Sequence, residues 1–130
     1  MYTIKQVCEK LNMTSHAVRH YADMGLIPSL QRDKNGNRLF DDEAVNWLLA
    51  TKFLRESGMS IKEIKHYFQL CLVGDKTFDE RYEILNKLHR QILEEQKNIQ
   101  SRLECVTNKL NHCKDIKAGK CEDDCNPLNW

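Results

Sequence analysis

The 130 residues carry almost no excess of either charge: 20 Lys and Arg stand against 19 Asp and Glu, a formal net charge of +1. So balanced a chain does not attract nucleic acid as a polycation, and any case for DNA binding has to rest on where individual cations fall. Long apolar runs are missing too. No stretch of about 18 apolar residues exists, and the opening Met1-Tyr2-Thr3-Ile4-Lys5 has no apolar signal-peptide region. Neither export nor a membrane partner is expected, and the expected compartment is the cytoplasm. Between Thr77 and Gly119 there is neither glycine nor proline, so nothing there breaks a helix. The length suits one compact head with an appendage better than two independent cores. The six cysteines, at 8, 71, 105, 113, 121 and 125, do not read as a secreted disulfide framework in a chain of such strong helical periodicity.

What is present begins with Ile4, Val7, Cys8 and Leu11, one face of a short helix that Thr3-Ile4-Lys5-Gln6 opens as a capping box. After a turn at Asn12, Thr14 caps a second helix, with Met13 and Val18 as its staple and Gly25 as its stop. Ala17, Val18 and Tyr21 would face inward, leaving Ser15, His16, Arg19 and His20 to partners. Two short helices on a tight turn read as a helix-turn-helix. Pro28 ends this unit, and Asn35-Gly36 marks a hairpin carrying Arg32, Lys34 and Arg38. Asp41 or Asp42 would cap a third helix with Val45, Leu48, Leu49 and Phe53 as its buried face, ending at Gly58. A second capping box, Ser60 to Glu63, stapled by Met59 and Ile64, opens a fourth helix through Tyr67, Phe68 and Cys71. The head is expected to end near Gly74.

Thr77 and Glu80 form a further candidate capping box, and the helix they would open runs about forty residues, roughly 60 Å at 1.5 Å per residue. Leu85, Leu88, Ile92, Ile99, Leu103, Val106 and Leu110 recur mainly by three and four along it, with a phase shift near Glu95 and Gln96. One such stripe per chain is most simply buried against a second copy, parallel or antiparallel, so a homodimer is expected. The fold class follows: mainly α, a winged helix-turn-helix head followed by a long dimerisation helix forming a coiled coil. The expected division is 1–74 for the DNA-binding head, 75–118 for the dimerisation helix and 119–130 for a cysteine-containing tail.

This order of elements resembles the MerR family of transcription regulators, and the likeness extends to particular segments. Thr3-Ile4-Lys5-Gln6-Val7 is similar to the family's opening, and Val18-Arg19-His20-Tyr21 with Gly25-Leu26-Ile27-Pro28 to its recognition helix and exit. Asn35-Gly36-Asn37-Arg38-Leu39-Phe40 is similar to its wing, and Leu54-Arg55-Glu56-Ser57-Gly58-Met59-Ser60 to its third junction. The resemblance implies that Thr14, Ser15, His16, Arg19 and Tyr21 meet the major groove and that Arg32, Asn37 and Arg38 grip flanking backbone. Arginine forks and helix-N-terminal hydroxyls suit those roles chemically. Asn37 departs from the family's usual wing Tyr, and His20 from the usual aromatic before Tyr21. The resemblance further implies promoter DNA and RNA polymerase as partners, with an effector switching promoter distortion.

The effector is open at this level. Asp75, Thr77 and Glu80-Arg81-Tyr82 resemble short members linked to aldehyde or thiol stress, yet Phe53 stands where many of those hold a reactive third-helix Cys. Cys113 and Cys121, seven residues between them, resemble the loop of copper- and zinc-sensing members, and Cys125 follows with His112, Asp115 and Glu122-Asp123-Asp124 nearby. Thiolates there would suit a soft or borderline ion such as Cu(I) or Zn(II). Thiol-redox or electrophile chemistry, or no effector role at all, are the other readings of the same three cysteines. Cys8 and Cys71 lie in apolar stripes and read as packing, and Cys105 as packing or surface. His16 and His20 read as facing DNA or solvent, and Leu128 and Trp130 could dock the tail on a partner helix. A thiol enzyme would need a folded pocket and a partnered base, which the sequence does not offer, so no enzymatic activity is expected. A coiled-coil adaptor whose head contacts protein is the remaining alternative.

Overall fold

A computed structural model describes residues 1–128; the tail contact expected of Trp130 lies outside the described residues. The chain forms α1 (Ile4–Leu11), α2 (Ser15–Asp23), β1 (Gln31–Arg32), β2 (Arg38–Leu39), α3 (Asp42–Glu56), α4 (Ile61–Val73), a 3-10 turn (Asp75–Thr77) and α5 (Phe78–Lys117). The fold is mainly helical, a winged helix-turn-helix head and a long C-terminal helix. Contacts divide the chain into a unit from Met1 to Leu88 and a second from His89 onward.

In the first unit most local signals act as the sequence predicts. Thr3 and Ser60 each close a full capping box, with Gln6 and Glu63. The Thr14 and Asp41 side chains accept from Ala17 N–H and Ala44 N–H. Each occupies one of the donors that a helix start leaves without partners. β1 and β2 pair antiparallel, with Gln31 opposite Leu39 and Arg32 opposite Arg38. A bridge between Tyr2 and Phe40 ties the chain start to the end of this hairpin.

Two apolar clusters hold the head. Val7, Leu11, Val18, Ile27, Phe40, Ala44, Val45 and Leu48 bury the seam among α1, α2 and α3. Leu26, Met59, Ile64 and Phe68 form the other, with Trp47, Leu54, Ile84 and Leu88 against it. Adjacent Leu26 and Ile27 enter different clusters, so the exit from α2 fastens both halves.

Two expectations fail here for physical reasons. The buried face of α3 is Ala44, Val45, Leu48 and Thr51, while Leu49 and Phe53 are 37% and 61% exposed. Leu49 and Phe53 sit one turn apart on a face that neither cluster reaches, whereas Thr51 is accommodated inside because its hydroxyl donates to Trp47 O at 2.8 Å. Thr77 does not form a capping box with Glu80. Gly74 breaks α4 at φ 96°, and the following 3-10 turn aims the Thr77 hydroxyl back at the carbonyls of Leu70 and Gly74, 2.6 and 2.8 Å away. Its oxygen also accepts from Arg81 Nε at 3.0 Å.

In the second unit, α5 continues to Lys117 and stops in a Schellman arrangement: Gly119, at φ 74°, donates to Ile116 O and Lys120 to Asp115 O. None of the 40 residues of α5 is buried.

Candidate nucleic-acid interface

α2 presents its outer face because its inner one is anchored. Val18 is fully buried and Ala17 half-buried, which leaves Ser15, His16, Arg19 and His20 exposed on the other side. Thr14 is exposed as well, its hydroxyl oxygen engaged by Ala17 N–H at 3.1 Å. Tyr21 is half-buried, packed against both clusters, with the His20 ring 5.9 Å from its own.

The wing is shaped by polar contacts rather than burial. Asp33 Oδ1 accepts from the backbone N–H of Asn35 and of Asn37, both at 2.9 Å, and Oδ2 accepts from Asn37 Nδ2 at 3.3 Å. These bonds, led by the Asn37 backbone N–H, hold the Asp33 carboxyl below its usual range. Gly36 supplies the positive φ, 80°, that the tip requires, and its carbonyl accepts from Arg32 Nη1 at 2.7 Å. Arg38 crosses to α2, where its Nη2 donates to Asp23 Oδ1 at 2.6 Å.

Between α1, α2 and the wing lies an open cleft of about 420 Å³, lined by Thr3, Ile4, Arg19, Asp33, Gly36, Asn37, Arg38 and Leu39. Of the sequence-predicted contacts, Arg19, Asn37 and Arg38 therefore meet around one concavity. Thr14, Ser15, His16 and Arg32 are exposed but do not line it, and Tyr21 contributes mainly to packing. Sequence reasoning missed Asp23, which pairs with Arg38, and Asp33, which holds the tip of the wing through Asn35 and Asn37. Asp33 preceding Asn35-Gly36 was a legible turn signal, whereas nothing local links Asp23 to Arg38.

The tail cysteines are arranged more loosely. Cys113 is half-buried and Cys121 and Cys125 are exposed. Cys121 Sγ lies 3.9 Å from His112 Nδ1. Among the described residues no three His, Cys, Asp or Glu side chains gather as a metal site would need. Cys113, Cys121 and Cys125 in this arrangement therefore do not fit a closed Cu(I) or Zn(II) centre.

An exposed second helix beside a short two-stranded wing, with arginines from both on one cleft, defines a winged helix-turn-helix regulator. Residues 2–71 match the family described as MerR HTH family regulatory protein. An HTH-type transcriptional regulator of Haemophilus influenzae is 30% identical over 117 residues, 90% of this chain and 87% of that protein. The transcriptional regulator AdhR of Bacillus subtilis is 33% identical over 91 residues, 70% of this chain and 65% of AdhR. Among solved structures, HiNmlR, a MerR family regulator lacking the sensor domain and bound to promoter DNA, superposes with a TM-score of 0.78 at 30% identity, covering 90% of this chain and 93% of that one. The chain belongs to the MerR family of DNA-binding transcription regulators and is not an enzyme. No helix among the described residues is long and apolar enough to cross a membrane.

Proposed function

We propose that this chain binds double-stranded promoter DNA as a homodimer and acts on transcription at the promoter with RNA polymerase, by changing the shape of the duplex. The observation that carries the reading is the shared cleft of Arg19 and Arg38, one from the recognition helix and one from the wing. In this reading Thr14, Ser15, His16, Arg19 and Tyr21 serve the major groove and Arg32, Asn37 and Arg38 the flanking backbone. Residues 1–74 supply DNA binding, 75–118 pairing of the two copies, and 119–130 the tail. The likeness to HiNmlR, bound to promoter DNA, supports the same use of this head. The uncovered stripe of α5 supports the dimer. The cytoplasm is the compartment where such a regulator meets DNA. Selection of duplexes from a random pool, followed by footprinting of the winner, tests the reading. A selected sequence with hypersensitive positions at its centre is expected; no enrichment would overturn it in favour of an adaptor that contacts protein.

A second reading concerns the tail and is favoured by one contact, the 3.9 Å approach of His112 and Cys121. Here the tail senses a soft ion or an oxidant through Cys121 with Cys113 and Cys125, the further ligands being gathered only on binding. Metal stoichiometry on reduced protein, with Cys113→Ser and Cys121→Ser, tests it. About one ion per subunit, lost in both variants, supports metal sensing. No binding, with the cysteines oxidising together under mild peroxide, moves the role to thiol chemistry. Neither behaviour would leave the tail without an effector role.

A further inference from the structure

Asp23 ends α2 with a charge that the helix itself disfavours. Helix C-termini carry partial negative charge, so a carboxylate in the last turn is out of place, and the only basic residue of that turn is His20. The compensation comes from the wing: Arg38 Nη2 reaches Asp23 Oδ1 at 2.6 Å across 15 residues of sequence. The Arg38 side chain is 19% exposed and that of Asp23 64%. With its carboxylate so exposed, the pair contributes little to fold stability, and what it does contribute is geometry. A guanidinium is planar and directional, so a carboxylate on one edge fixes where the remaining N–H groups point. Arg38 Nε is buried and has no hydrogen-bond partner, so the group is held but not saturated. Arg38 also lines the cleft with Arg19.

We propose that Asp23 is a positioning residue for DNA binding, tying the wing to the recognition helix through Arg38 so that Arg38 meets the flanking sugar-phosphate backbone in fixed register with Arg19 at the major groove. The inference rests on the DNA-binding reading above and adds a claim with an unusual sign. By charge alone a carboxylate beside phosphates repels them, and its removal should tighten binding. If Asp23 positions Arg38, its removal loosens binding instead.

The test is anisotropy titration of the full chain against a duplex selected by the wild-type protein, at several salt concentrations. Asp23→Asn is expected to weaken binding about tenfold and to reduce the slope of log affinity against log salt by about one, the signature of one lost phosphate contact. Asp23→Glu, which keeps the carboxylate, should restore most of the affinity. Arg38→Lys keeps the charge but loses the planar fork; it should show the same loss, and combining it with Asp23→Asn should add little further. Melting temperatures should stay near wild type throughout. Equal or tighter binding by Asp23→Asn overturns the proposal. If Asp23→Asn fails to fold, Asp23→Ser takes its place: weaker binding by the folded variant supports the role, and equal or tighter binding overturns it. Failure of the wild type to select any duplex would remove the DNA-binding reading itself, whereas selection followed by an unimpaired Asp23→Asn removes only the role of Asp23.

Discussion

The residues up to Leu88 and those from His89 onward use the same helix-forming chemistry to opposite effect. In the first unit, seven large or medium side chains, from Val7 to Ile64, are essentially sealed from solvent. From His89 on, no described residue is buried, and Leu103 and Val106 are 58% and 66% exposed. Isolated helices are marginal in water, and in proteins their stability comes mostly from packing an amphipathic face. The head satisfies that requirement within one chain. The distal part of α5 has no such packing among the described residues, and in the proposed homodimer the stripe through Ile99, Leu103, Val106 and Leu110 would supply it against a second copy.

The contrast is broken most directly by charging the stripe. The double substitution Ile99→Glu, Leu103→Glu places four carboxylates in a paired seam and should convert a dimer to a monomer in sedimentation. Affinity for a two-half-site duplex should then fall by about a hundredfold or more, because the second half-site loses its tethered partner. An unchanged dimer would place the interface elsewhere. Unchanged DNA affinity in a monomer would show that one head suffices.

A smaller effect, confined to the other side of the contrast, comes from Leu48→Ala. Leu48 is fully buried among α1, α2 and α3, and truncation there should cost about 2–5 kcal/mol in denaturant unfolding. If the head is self-sufficient, that loss should persist undiminished in the charged-stripe background, within about 0.5 kcal/mol. A much smaller loss there would mean that the head borrows its stability from pairing.

The parts of the molecule that were legible in sequence are those encoded by neighbours. Thr3 with Gln6, Ser60 with Glu63, and Asn35-Gly36 each carry their own partner within a few residues, and each forms as read. Thr77 with Glu80 shows the limit of that logic. The same spacing is present, but Gly74 turns the chain so that the Thr77 hydroxyl finds the end of α4 before it can cap α5. Phe53 shows a second limit: periodicity places it one turn from Leu49 but does not say which side of α3 the two clusters will occupy. At the candidate interface, the exposed residues of α2 could be read from the burial of Val18, whereas the pairing of Asp23 with Arg38 depends on how the wing folds over α2. The tail carries the weakest local code, and among the described residues the contact its thiols make is the approach of Cys121 to His112.

The wing sharpens the contrast from within the head, because it is the part held by hydrogen bonds instead of apolar burial. Its organiser, Asp33, has a carboxyl lowered mainly by the Asn37 backbone N–H. A carboxyl whose folded value lies below its unfolded one stabilises the folded form above the unfolded value, about 3.9 for Asp, and loses that contribution as pH falls through the folded value. The wing should therefore keep its shape from neutral pH down through the ordinary carboxylate range and loosen only below it. Amide chemical shifts of Asn35 and Asn37, followed by NMR during an acid titration, should move together at a pH below that of exposed aspartates, while amides around Leu48 stay fixed. Asp33→Asn should abolish the acid step and shift both amides already at neutral pH, with little change in melting temperature because no buried surface depends on it. Were the two amides to titrate at the ordinary aspartate pH, the carboxylate would not be what shapes the wing, and the register of Arg32 and Arg38 would have to come from strand pairing alone.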